Sequence, residues 1–455
     1  MRKFSLRHHL TSLEAMKAHM PATFEMNDNE ACLSAWNDIN QAQKALGLNF
    51  EEKDLVMVPD STPIYDVHRT YEENYAEGPF GEFAALGAQA SALGARTAPL
   101  EATATSALGS QVSPLETPTP FDTDTRHYSF FGQSVRTPFG IPAGPLLNER
   151  FTTAAFRAGF DIATYKTVRS RAWACNPFPN VLSVHPASGE LTAGAPETVD
   201  GVLADDQFGS PETISISNSF GVPSQSPDVW QPDMQRAIQN AGPGQLLLAS
   251  FQGSRTPEMS EEQYIADHVT TARLALETGA KVLEMNTSCP NEGKGRLLCH
   301  NPELVGRITE AVKNEIGDTP LIIKLAFMPD DADVERMMQN TVLRQSVQGF
   351  ATINTISARL VNARGEQALP GEGRETSGVC GAAIRHAGLE MVERVIRVQR
   401  NLGIADDDFA VIGVGGVTSA RDVQDYLSLG ARAVMSATGA MWNARLGQDV
   451  RAALR

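Results

Sequence analysis

The chain has 455 residues, with 38 Lys+Arg against 54 Asp+Glu and a formal charge of −16. That balance excludes a general polyanion binder, and a 42% apolar share with 37 glycines excludes a chain disordered throughout. At about 100–200 residues per domain the length allows two to four domains, or fewer if one is an α/β barrel of about 250 residues.

The start, MRKFSLRHHLTSL, is basic and free of acids until Glu14. It weakly resembles a transit peptide but lacks the apolar stretch of a secretory signal, and an ordinary basic N-terminus is expected. The five cysteines, Cys32, Cys175, Cys289, Cys299 and Cys380, form no C-x-x-C pair and no zinc or iron–sulfur spacing. A reduced, cytoplasmic protein without a metal site is expected. No apolar run approaches the roughly 18 residues of a spanning helix.

Residues 1–83 read as an N-terminal extension, with a helix expected over Asn27–Leu46 and a strand over Leu55–Pro59. Residues 84–123 turn to Ala, Ser, Thr, Gly, Leu and Pro with little side-chain surface to bury, which reads as a linker. A domain over 124–455 follows. Eight short apolar runs mark it: Phe139–Gly144, Phe160–Thr167, Leu246–Gln252, Lys281–Thr287, Leu321–Ala326, Gly349–Thr355, Ala410–Gly415 and Ala433–Ala437. Amphipathic stretches at Glu262–Thr278, Pro302–Glu315, Arg385–Asn401 and Ala420–Leu429 separate several of them. This is the pattern of an α/β (β/α)8 barrel. An open doubly wound sheet is the alternative, but no G-x-G-x-x-G follows the first run. The long connection Val168–Gln245 holds one helix-like piece near Pro227–Asn240 and a Gly/Pro/Ser-rich insertion around Pro186–Ser215. Covering loops or a small sheet over the barrel mouth are expected there.

A (β/α)8 barrel carries its chemistry at the C-terminal strand ends. Those ends hold Lys166 and Thr167, Asn286 to Asn291 around Cys289, Lys324, and Asn354 with Thr355; Asn218 to Pro223 lies between the second and third runs. Several carboxamides around one mouth suit a planar heterocycle with imide N–H and C=O groups. Lys324, inside an apolar strand, reads as a cation stabilising a developing anion, with a Schiff-base lysine or a snorkelling side chain as alternatives. Cys289, on a loop after a strand, reads as a general base or nucleophile; the other four cysteines read as structural. Gly415 and Gly416, and then Ala437 and Thr438, each stand between a strand and a helix and suggest a phosphate cradle.

These segments resemble the FMN-dependent dihydroorotate dehydrogenases and the related pyrimidine-reducing domain of dihydropyrimidine dehydrogenase, from about Tyr128 to Arg455. Pro138 to Gly144 is similar to the opening strand along the flavin, Asn218 to Pro223 to the substrate loop, and Asn286 to Asn291 to the family's N-x-S-C-P-N. The resemblance implies FMN as cofactor, with Lys166, Asn218, Asn286, Asn291, Asn354 and Thr355 on the substrate. It also implies Ala143, Gly144, Lys166, Thr167, Asn286, Lys324, Ser377, Gly378, Gly415, Gly416, Ala437 and Thr438 on the cofactor, Ala437 standing where a glycine is usual.

Cys289 stands at the base position, which is Cys in the soluble class 1 enzymes and Ser in the membrane-associated class 2 enzymes. The opening strand and Thr355 look closer to class 2 or to dihydropyrimidine dehydrogenase. The implied reaction oxidises (S)-dihydroorotate to orotate in pyrimidine biosynthesis. Cys289 takes the C5 proton, hydride passes from C6 to flavin N5, and Lys324 stabilises the reduced flavin. An uncharged dihydropyrimidine substrate, a Schiff-base lyase using Lys324 and a catalytically silent barrel remain alternatives. The acidic N-terminal region lacks a strongly apolar face, so a membrane partner is not expected. Fumarate, NAD through a partner and quinone stay open as electron acceptors, and a homodimer stays open as the assembly. No nucleic-acid partner is expected.

Overall fold

The computed structural model describes residues 62–84, 86, 127–288 and 297–455. The expected helix over Asn27–Leu46, the expected strand over Leu55–Pro59, nearly all of the 84–123 segment, and both Cys289 and Asn291 lie outside them.

Eight parallel strands close into a barrel, each hydrogen-bonded to its successor and the last to the first. They are β1 Phe139–Ile141, β2 Ile162–Val168, β3 Leu246–Phe251, β4 Leu283–Asn286, β5 Leu321–Leu325, β6 Gly349–Thr352, β7 Ala410–Val414 and β8 Ala433–Met435. Every residue of these strands is buried, because helices cover the outside and side chains fill the inside. Inside the barrel, Ile162, Leu248, Val282, Ile322, Ala351, Ile412 and Met435 form an apolar plug. A hairpin of Tyr128–Phe130 and Gln133–Val135 adds Phe130 and Val135 to it. The helices begin where the sequence supplies caps. Ser260 and Gln263 form a reciprocal capping box before Glu261–Glu277, and Ser419 with Asp422 does the same before Ala420–Leu429.

Over the barrel lies a second closed sheet of five short strands: Ser183–His185, Val202–Asp205, Ser215–Asn218, Ile356–Val361 and Thr376–Gly381. The first three come from the insertion expected to cover the mouth. The last two follow β6 and have no counterpart in the sequence reading, which passed from the sixth run to the seventh. Their alternating burial is interrupted by a polar, glycine-rich connection that reads as loop.

The compact unit that contains the barrel begins at Pro63, whereas the sequence reading placed a boundary near residue 124. Residues 63–84 pack onto the barrel as a strap. The Ile64 amide donates to the Met441 carbonyl at 2.9 Å, and Ile64, Tyr65, Val67, Tyr71 and Phe83 are buried in the main core. The Asn148 amide donates to the Tyr75 carbonyl at 2.9 Å. These anchors are spaced irregularly, so no helical or strand period announces them.

Candidate active site

Period-two alternation turns polar groups into the barrel one layer above the apolar plug. Ile162 is followed by Thr164 and Lys166, Leu248 by Ser250, Val282 by Glu284 and Asn286, and Ile322 by Lys324. Above this layer opens a cavity of about 450 Å3, in the range of about 300–1,000 Å3 usual for cofactor and substrate sites. Ala143, Gly144, Lys166, Thr167, Asn218, Asn286, Lys324, Asn354, Thr355, Ser377, Gly378, Ala437 and Thr438 all line it. Gly415 and Gly416 do not; they stand just past Val414, which does. Gly416 is needed for packing, since its φ is +64° and a Cβ there would stand 2.8 Å from the Arg385 backbone nitrogen.

The lining groups are held in place by buried contacts. The Asn286 amide donates to Gln252 Oε1 at 2.8 Å while its Oδ1 accepts from the Ser288 amide at 3.1 Å. The Lys324 carbonyl collects the hydroxyls of Thr287 (2.6 Å) and Ser288 (2.9 Å), which ties the chain leading to Cys289 onto the end of β5. On the far side, the Cys299 amide donates to the Thr287 carbonyl at 2.9 Å.

Two buried arginines support the loop from Asn218 to Pro223. Arg374 donates to Ser219 Oγ at 2.8 Å and to the Pro177 carbonyl at 2.8 Å. Arg169 donates from Nε to the Val222 carbonyl at 2.9 Å. Gly221 and Val222 both have positive φ, and a Cβ on Gly221 would meet Asn176 Oδ1 at 2.7 Å. The loop thus turns back on itself and leaves Asn218 exposed at the cavity.

Two ionisable groups sit in the cavity floor. Burial pushes the Lys324 ammonium below the usual lysine range, against the opposing pull of Glu284. Burial likewise raises Glu284, against Lys324 and a hydrogen bond with Ser250. Glu284 is 1% exposed, lines the cavity, and its Oε2 has no hydrogen-bond partner. The sequence reading passed over it, although a carboxylate inside the apolar run KVLEMNT is the same anomaly as Lys324 in LIIKLA.

Cys380 also lines the cavity, where the sequence reading made it structural; the Thr438 hydroxyl donates to its sulfur at 3.4 Å. Burial pushes its thiol up to about 11. Gly378 lines the same cavity, where a Cβ on it would lie 2.3 Å from Thr355 Oγ1. Cys380 thus adjoins Thr438. Tyr65 from the strap is a further lining residue without a sequence signal, its ring edge-on to Phe220 at 5.4 Å and its buried hydroxyl unpartnered.

The family profile described as Dihydroorotate dehydrogenase matches residues 205–450. A dihydroorotate dehydrogenase of Dictyostelium discoideum is 33% identical over 85% of this chain and 95% of its own length. The chain belongs to the dihydroorotate dehydrogenase family. The catalytic subunit of a dihydroorotate dehydrogenase B (NAD(+)) of Solidesulfovibrio magneticus is 32% identical over 67% of this chain and 87% of its own. A dihydroorotate dehydrogenase (quinone) of Bordetella parapertussis is 26% identical over 71% and 83%. The crystal structure of DHODH from Eimeria tenella in complex with ferulenol aligns at TM-score 0.54 over 74% of this chain and 86% of that one. At 17% identity it speaks for the fold alone.

Enzymes of this family are FMN-dependent oxidoreductases, and the lining residues fit that cofactor. Gly144, at φ +151°, has open space where a Cβ would project, so a flat ring can approach its backbone. Lys324 offers a buried amine to an electron-rich ring edge, and Thr438 with Cys380 offers further polar groups on the cavity wall.

Proposed function

We propose that this chain oxidises (S)-dihydroorotate to orotate, a step of pyrimidine biosynthesis, with FMN as the bound oxidant. The observation that carries this reading is the convergence of Lys166, Asn218, Asn286, Asn354 and Thr355 with Lys324 around one cavity. Lys166 supplies the cation for an anionic substrate, and the carboxamides and the Thr355 hydroxyl can read its imide edge. FMN, when bound, supplies a two-electron acceptor for hydride from substrate C6. Lys324 places its positive charge where negative charge accumulates on reduction.

Cys289 Sγ takes the proton from C5. The residue before it, Ser288, is held to the end of β5 by its hydroxyl on the Lys324 carbonyl. Asn291 completes the substrate set, and Ala143, Gly144, Thr167, Ser377, Gly378, Ala437 and Thr438 form the cofactor set with Lys166, Asn286 and Lys324. Gly415 and Gly416 serve it by shaping the turn beside Val414. Relatives named for quinone and for NAD(+) leave both acceptor types for direct trial. Among the described residues no helix is long and apolar enough to cross a membrane, and we place the enzyme in the cytoplasm.

The test is anaerobic mixing of flavin-loaded protein with dihydroorotate while flavin bleaching is followed, with dihydrouracil as control. Bleaching by dihydroorotate alone is expected. Bleaching by dihydrouracil alone, or protein that takes up no FMN, overturns the assignment.

A further inference from the structure

Of the charged groups facing the cavity, Glu284 has no part in the chemistry above, and a lone buried carboxylate is costly unless it is paired. Its register explains where it points. Glu284 lies opposite Ser250 on β3 and Ile322 on β5, and Lys324 is two residues further along β5. Both side chains therefore turn into the barrel, on adjacent strands and one layer apart. Glu284 is 1% exposed and Lys324 6% exposed. The ionisable or polar groups that act on the pair come from two further elements, Ser250 on β3 and Cys380 in the upper sheet, and Lys166 at the end of β2 lines the same cavity.

Resting on the FMN reading above, we infer that Glu284 is a positioning residue: the buried counter-ion that keeps the Lys324 ammonium protonated and aimed at the cavity floor. An amine with so little solvent contact tends to lose its proton, and a carboxylate across one strand spacing opposes that loss. The Ser250 contact holds one side of the carboxyl, leaving Oε2 without a hydrogen-bond partner. Glu284 touches neither reacting atom; it acts by fixing the charge that Lys324 presents.

The experiment compares wild type, Glu284→Gln, Glu284→Leu and Lys324→Met, each loaded with FMN. The readout is the ratio of affinities for reduced and oxidised FMN over a pH series running down from the ordinary lysine pKa of about 10.4, since a destabilised buried lysine deprotonates below it. Both Glu284 variants are expected to lose about tenfold of the wild-type preference for reduced FMN across that series, about 30 mV in the two-electron potential. Lys324→Met is expected to show a low preference with no such additional pH step, and Glu284→Asp to restore the wild-type profile in part. A Glu284 variant that follows the wild-type profile overturns the inference, as does a step that persists in the double variant with Lys324→Met. The leucine variant, which leaves no buried polar group to satisfy, keeps the test available if the glutamine variant does not fold. Failure of wild type to hold FMN would instead reject the functional reading itself.

Discussion

Arg374 donates to five oxygens, on Ser219 (hydroxyl and carbonyl), Pro177, Pro179 and Pro370, and so joins the substrate loop to the wall behind it. Arg374→Met leaves those oxygens without a donor and costs about 1–3 kcal/mol of stability. The expected kinetic result is a KM for dihydroorotate raised about tenfold or more with FMN affinity little changed, read from steady-state kinetics and flavin titration. At Cys289 the expected loss is in the chemical step. Cys289→Ala should retain its flavin but slow anaerobic flavin reduction by about 10²–10⁴. With the Cys289 thiolate proposed as the base and an ordinary thiol pKa of about 8.5, wild-type reduction should accelerate as pH rises toward that value. A stopped-flow pH series on wild type and variant checks both.

At the scale of elements, the strap of residues 63–84 and the five-stranded upper sheet turn an ordinary barrel mouth into an enclosed cavity. Phe83, 2% exposed, inserts into the main core cluster from a strap whose helix Tyr71–Glu77 is capped by Thr70 and Glu73. Phe83→Ala should destabilise the protein by about 3–5 kcal/mol, measured by urea unfolding. A much smaller loss would mean that the strap adds little to the folded state. The upper sheet packs against the site at Gly378, where a Cβ would stand 2.3 Å from Thr355 Oγ1. Gly378→Ala should displace Thr355 and raise the KM for dihydroorotate, read from steady-state kinetics.

The whole molecule carries a pH dependence from a residue that does not line the cavity. His268 is fully buried; Nδ1 donates to the Tyr264 carbonyl at 3.0 Å and Nε2 has no partner. Such a site admits only the neutral ring, and burial lowers its pKa to about 4. The unfolded chain, with a histidine pKa of about 6.5, binds the proton first. Stability from this residue is therefore complete above about pH 6.5 and is lost as pH falls toward 4, by about 3 kcal/mol in total. His268→Gln should be less stable than wild type at neutral pH, with the difference shrinking across that interval in denaturant titrations. A constant difference would refute the account.

Much of this was legible in the chain itself. Eight apolar runs and their intervening helices determine a (β/α)8 barrel because strands buried on both faces and amphipathic helices leave periods of two and 3.6 in the sequence. Strand-end chemistry follows from the same geometry, so Lys166, Asn286, Lys324 and Asn354 could be named before they were seen together. Only the tertiary structure decided that residues 63–84 belong to the barrel, that a second sheet closes over the mouth, and that Cys380 faces Thr438. It alone brought Glu284 beside Lys324 and Arg374 beneath Ser219. Those relations are contacts between segments up to hundreds of residues apart, set by chain closure and packing, and no local period records them.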